Sequence, residues 1–193
     1  MTMIPWNNLT RITPADDQLI TLEDAKAQVG ASDYDEVDDF LTTLVEAATD
    51  AIEGPSSTGA VFVTQTWRAT LDHLPSCFSI PLGPIQSITS ITYVDQAGET
   101  QTIDPATYHT DFDRHPAMVA FYSAPPVPAR VPGAVKVTFV AGYGEPSETP
   151  AKARHAVRLL VGSWFKNREA DTQASLTELP IGVTRLMAQL KRF

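Results

Sequence analysis

The chain has 193 residues, 43% of them hydrophobic, and a formal net charge of -9, which suits one sizeable core, with or without a small inserted subdomain, and excludes both two large domains and a disordered chain. No apolar run approaches the roughly 20 residues that span a bilayer, and Met1 to Thr13 lacks the basic-then-apolar order of a signal peptide, so a cytoplasmic protein is the default expectation. So acidic a chain repels phosphate over most of its surface, which disfavours a basic nucleic-acid groove.

The start, through Pro5 and Pro14, reads as irregular. Thr21-Leu22-Glu23-Asp24 then has the form of a capped helix start, with Leu22, Ala25 and Val29 apolar and Gly30 as the stop. A longer helix is expected from Asp33, which stands at capping-box spacing from Glu36. Val37, Phe40, Leu41, Leu44, Val45, Ala48, Ala51 and Ile52 follow the i, i+3, i+4, i+7 pattern. The cluster Gly54-Pro55-Ser56-Ser57-Thr58-Gly59 ends it.

From Ala60 to Gly144 the period becomes strand-like. Strands are expected at Val61 to Leu71, Phe78 to Pro81 (a short edge piece), Ile85 to Val94, Glu99 to Ile103, Thr107 to Phe112 and Ala117 to Tyr122, with Asp95-Gln96-Ala97-Gly98 as a turn. Pro125, Pro126, Pro128 and Pro132 make the next connection a stiff extended loop. Val135 to Val140 is β-branched and aromatic, and reads as a half-buried strand. In Ala141-Gly142-Tyr143-Gly144 the two glycines tolerate positive φ, so the chain can turn tightly with Tyr143 held at the bend.

Thr149 as N-cap and Pro150 at the first helical position announce a helix with Ala153, Ala156, Val157, Leu160 and Trp164 on its apolar face and Phe165 at its margin. A polar connection from Ala170 to Glu178 leads through Leu179-Pro180-Ile181-Gly182 to Val183, Leu186, Met187 and Leu190, again at helical spacing. A helix of about ten residues does not persist alone in water, so it docks either on its own core or on a partner. The expected class is therefore α+β: a small helical bundle with an inserted antiparallel β-sandwich-like subdomain and a C-terminal helical arm. The divisions are an acidic helical segment over 1–59, the β insertion over 60–144, a helix completing the helical body over 145–169 and the arm over 170–193.

Charge is distributed unevenly. Residues 1 to 60 hold Asp16, Asp17, Glu23, Asp24, Asp33, Asp35, Glu36, Asp38, Asp39, Glu46, Asp50 and Glu53 against Arg11 and Lys26. From residue 145 onward Lys152, Arg154, Arg158, Lys166, Arg168, Arg185, Lys191 and Arg192 outnumber the acids. Two solvated helix faces of opposite sign account for this. So does head-to-tail association of identical subunits, in which unlike surfaces meet.

Few residues offer chemistry. Cys77, the only cysteine, has no internal disulfide partner and no flanking base to lower its pKa. Strand alternation puts His109, Asp111, Asp113 and His115 on one face, but such neighbours lie about 7 Å apart and do not converge on one ion without a bend. His73 and His155 stand singly, and no nucleophile elbow, phosphate loop, dinucleotide fingerprint or zinc-protease motif occurs. The expectation is no enzyme, no cofactor and no metal site.

The order of segments carries more than any one of them: an acidic helix pair, Ile80-Pro81-Leu82-Gly83-Pro84-Ile85-Gln86-Ser87-Ile88, then Tyr93-Val94-Asp95-Gln96-Ala97-Gly98, then Ala141-Gly142-Tyr143-Gly144 and a proline-started helix. This order, from about Leu19 to Phe193, resembles the head-tail connector (adaptor) proteins of long-tailed double-stranded DNA bacteriophages and gene transfer agents. Leu179-Pro180-Ile181-Gly182-Val183 through Leu186 resembles the family's tail, while Met187-Ala188-Gln189-Leu190-Lys191-Arg192 stands where a proline-aromatic-arginine ending is expected.

The resemblance implies a structural virion protein at the head-tail junction, assembled in the bacterial host cytoplasm. It implies a ring of about twelve copies beneath the portal protein, with its other side facing a stopper or tail protein and DNA passing through without specific binding. On this reading Val183, Leu186, Met187, Leu190 and Phe193 bind the portal, Arg185, Lys191 and Arg192 contribute charge, and deletion of residues 180–193 leaves the core folded. Gly142, Tyr143 and Gly144 form a structural turn. Two other readings stand beside it: a β-rich ligand-binding module using Trp67, Tyr93 or Tyr122 as platforms, and a metal-dependent enzyme built on His109 and His115.

Overall fold

The computed structural model describes residues 2–4, 8–167 and 180–191. Nine strands are described: β1 (Thr2–Met3), β2 (Leu9–Thr13), β3 (Gln65–Leu71), β4 (Cys77–Ile80), β5 (Ile85–Val94), β6 (Thr100–Thr102), β7 (Tyr108–Asp111), β8 (Ala117–Phe121) and β9 (Val135–Ala141). Four α-helices accompany them: α1 (Leu22–Val29), α2 (Asp38–Ile52), α3 (Ala151–Lys166) and α4 (Ile181–Leu190). The class is α+β, as the alternating periods indicate. No helix among the described residues is long and apolar enough to cross a membrane.

The strands form a five-stranded sheet, β2-β3-β9-β5-β6, and a four-stranded one, β1-β4-β8-β7, antiparallel except for the parallel β1–β4 pair. In the larger sheet Trp67, Phe139 and Ile88 lie abreast, as do Ala69, Val137 and Ile91. The smaller sheet turns Phe78, Ile80, Ala117 and Val119 into the same core. Burial of both faces in one apolar cluster makes this a sandwich.

A second core lies in the helices. Ala25 of α1, Leu41, Val45, Ala48 and Ile52 of α2, and Ala153, Ala156, Val157, Leu160 and Val161 of α3 are buried together with Phe62 and Val63 from the segment entering β3. Thr21 Oγ1 accepts the Asp24 N–H at 3.1 Å and Gly30 closes α1 at φ 73°, both at the expected positions.

Other boundaries differ from expectation. The irregular start is strand: Leu9–Thr13 pairs with β3 at the edge of the larger sheet, where it is mostly exposed and so shows no apolar alternation. The Asp33 capping box is replaced by a 3₁₀ turn at Asp35–Val37, because the Asp35 and Asp38 carboxylates both bind Lys26 Nζ at 2.8 Å. Thr149 does not cap α3. Its hydroxyl donates to Pro146 O at 2.6 Å within a preceding 3₁₀ turn, leaving Pro150 as the N-cap. The piece ending in Pro81 is interior, with β4 lying between β1 and β8, and the long first strand shortens to Gln65–Leu71.

Candidate functional site

The turn after β9 is built by close approach of two backbones. Gly142 N–H donates to Pro84 O at 2.9 Å, Tyr143 N–H to Phe62 O at 2.7 Å, and Thr64 N–H to Gly144 O at 3.0 Å. A Cβ at Gly142, where φ is 133°, would lie 2.7 Å from Val63 O and 2.8 Å from Thr64 Cα, so only glycine fits. At Gly144, with φ 126°, a Cβ would meet the Glu148 side chain. The turn thus clamps the end of β9 to the segment entering β3, whose Phe62 and Val63 are buried in the helical core.

The arm is placed on that body. Val183 is fully buried and Leu190 nearly so, both within the helical core, while Leu186 and Met187 are half-buried against it. Arg185 and Lys191 are exposed, as is Ile181 at 75%. Arg192 and Phe193 lie outside the described residues. In this form the arm docks on its own core through α3, with one flank open; of the expected portal-binding residues, Val183 and Leu190 are not at the surface.

The segment considered for metal does not gather. Strand β7 ends at Asp111, so Asp113 and His115 follow in a turn rather than on the face of His109, and no three His, Cys, Asp or Glu side chains converge among the described residues. Of the three candidate aromatic platforms, Trp67 is 7% exposed inside the sandwich and Tyr93 packs half-buried against it, while Tyr122 is 72% exposed.

A polar seam between α2 and β2 went unread. Glu53, 5% exposed at the C-terminal cap of α2, accepts from Phe62 N–H at 2.7 Å and from Gln65 Nε2 at 2.8 Å. Arg11 on β2 reaches across to Asp50 at 3.1 Å and stands 3.9 Å from Glu53. Burial pushes the Glu53 carboxyl above its ordinary range, against the pull of the Phe62 and Gln65 hydrogen bonds and of Arg11. Two signals pointed here: an acid at the negative end of a helix dipole, and an arginine isolated among the acids of the first sixty residues.

Part of the charge asymmetry is consumed internally. Arg158 pairs with Asp24 at 2.8 Å, and Lys26 is held by Asp35 and Asp38, which raise its pKa and, for Asp35, lower the carboxyl's. Lys152, Lys166, Arg185 and Lys191 make no ion pair among the described residues, and neither do Asp16, Asp17 and Glu46.

No protein-family model matches this chain, and no curated protein does. Among solved structures, a chain in the virion of a native gene transfer agent particle superposes with a TM-score of 0.78 at 21% identity, over 96% of this chain and 95% of that one. Chains in the neck of an empty gene transfer agent particle, computed with C6 symmetry, and in the neck of the native particle, computed with C12 symmetry, match with TM-scores of 0.75 and 0.66 at 20% and 19% identity, with the same coverage. The fold is therefore that of a virion and neck chain of such particles, from end to end.

Proposed function

We propose that the protein is a structural head-tail connector (adaptor) of a tailed phage or gene transfer agent, working at the virion's head-tail junction after assembly in the host cytoplasm. What carries this reading is the end-to-end likeness to gene transfer agent virion and neck chains, 96% of this chain against 95% of the other. The order of segments, from the acidic helix pair to the Ala-Gly-Tyr-Gly turn, resembles that of connector proteins and supports the same reading. The C12 symmetry of one neck structure supports a ring of about twelve copies.

In this role the ring sits under the portal and joins the DNA-filled head to a stopper or tail protein. Net acidity keeps the conduit from holding DNA, and the chemistry is assembly rather than turnover. The arm supplies the portal contact. With Val183 and Leu190 committed to the helical core, the expected groups that remain for the portal among the described residues are Arg185, Lys191 and the open edges of Leu186 and Met187.

The test is electron microscopy of the full chain with and without its cognate portal. Rings seated on portal particles are the expected result. Portal particles that stay bare at saturating protein would overturn the reading.

A further inference from the structure

The α2–β2 seam opens into a cavity of about 500 Å³, lined by Arg11, Asp16, Asp17, Glu46, Asp50, Glu53 and Gln65 among others. That size lies in the range of roughly 300–1,000 Å³ typical of binding pockets. Arg11 answers Asp50 and Glu53, which leaves Asp16, Asp17 and Glu46 without an ion pair among the described residues. An independent observation adds to the charge. Gln65 is 4% exposed, its Nε2 is spent on Glu53, and its Oε1 has no hydrogen-bond partner among the described residues. The Glu53 carboxylate accepts only, so the amide cannot be turned round, and an orphan acceptor remains buried in a residue that lines the cavity. Carboxylates and a carbonyl oxygen together ask for a cationic donor. No three carboxylates gather tightly enough to hold a metal ion among the described residues, and a long cationic side chain can enter the cavity without needing them to converge.

A source for that donor lies elsewhere on the same chain. A depression of about 530 Å³ is lined by Lys152, Lys191, His115, Tyr143 and neighbouring residues, with no carboxylate among those described. Lys152 stands exposed in the first turn of α3, a helix without an acid in that turn or a side-chain cap. A cation at the positive end of a helix dipole is unfavourable alone, and a carboxylate from outside relieves it. The acidic cavity is built from α2, β2 and the segment before α1, whereas the basic depression is built from α3, α4 and the β9 turn. They are two different surfaces, which is what a heterologous, ring-closing contact requires.

We infer that the acidic α2–β2 cavity of one copy receives Lys152 of the next, forming the side-to-side contact of the ring. The inference rests on the connector reading and places its subunit interface. Asp16, Asp17 and Glu46 line the cavity that the ammonium enters, with the buried Gln65 amide behind them.

The experiment is ring formation by the full chain on its cognate portal, scored by electron microscopy for Glu46→Lys, Lys152→Glu and the double exchange. Each single reversal is expected to raise the protein concentration needed for rings about tenfold or more, and the double exchange to bring it back to within about threefold of the starting protein. Single variants that ring normally, or a folded double variant that does not recover, overturn the inference while leaving the connector reading intact. Failure of the unaltered chain to ring on its portal overturns both. Should a reversal impair folding, Glu46→Cys with Lys152→Cys on a Cys77→Ser background reads the contact directly: disulfide-linked ladders from oxidised rings support it, and rings without linked subunits overturn it.

Discussion

Gln65 Nε2 lies 2.8 Å from Glu53 Oε2, across the seam where the end of α2 meets the first residue of β3. With the Phe62 N–H on the other oxygen at 2.7 Å, one buried carboxylate ties the helical layer to the sandwich. Glu53→Ala leaves two buried donors unpaired and is expected to cost about 2–4 kcal/mol at neutral pH. Glu53→Gln keeps an acceptor for Phe62 and allows the Gln65 amide to turn.

The pH dependence has a definite sign. Burial holds the folded-state pKa of Glu53 above its ordinary value of 4.5, so its contribution to stability is full below that value and is lost as pH rises through the folded-state pKa. Glu53→Gln removes this loss. Its stability relative to the parent chain is expected to climb with pH across that window and then level off, as read by denaturant unfolding at a series of pH values. A difference that stays flat across the series would refute the assignment.

Gly142 and Gly144 are expected to differ in tolerance. At Gly142 the added Cβ strikes backbone atoms of Val63 and Thr64, which cannot move without opening the seam, and the φ of 133° is strained for any other residue. Gly142→Ala is expected to cost about 3 kcal/mol or more. Gly144→Ala carries similar backbone strain at φ 126°, but its Cβ meets only the flexible Glu148 side chain and its bond to the Glu145 N–H at 2.9 Å, so it is expected to cost less, about 2 kcal/mol. Denaturation midpoints of the two variants check the order, and valine at either position exaggerates it.

Helices and interior strands were legible because burial imposes their period. Leu41, Val45, Ala48 and Ile52 repeat at helical spacing, and Val135, Val137 and Phe139 alternate on one buried face. Strand β5 was read correctly although Ile85, Ile88 and Ile91 recur every three residues; register shifts between Ile85 and Ser87 and between Ile88 and Ser90 return each to the core face. Strand β2 was not legible, since an exposed edge leaves no apolar signature. Nor was the Glu53 seam, whose members Arg11, Glu53 and Gln65 are brought together from three elements by tertiary packing alone. Capping of α2 was misread for a related reason: Asp35 had a partner, Lys26, outside the local window.

Arg158 and Asp24 join α3 to α1 at 2.8 Å, but each side chain is more than a third exposed. Asp24→Ala is expected to lower stability by less than about 1 kcal/mol, with the difference shrinking in high salt. A larger, salt-insensitive loss in thermal melts would mean that the pair does more than pin two solvated faces.

The arm sets a test that separates packing from recognition. Val183 is fully buried in the helical core, and a Cβ at Gly182 would sit 3.8 Å from Leu159 Cδ1, so α4 covers part of α3. Val183→Ala is therefore expected to cost about 1–3 kcal/mol, and deletion of residues 180–193 to destabilise the helical body rather than leave it untouched. Arg185 is exposed and makes no ion pair among the described residues, so Arg185→Glu is expected to leave stability unchanged to within about 0.5 kcal/mol while weakening attachment to the portal in co-sedimentation. A portal that binds Arg185→Glu as tightly as the parent chain would move the contact off this flank, leaving α4 with a packing role alone.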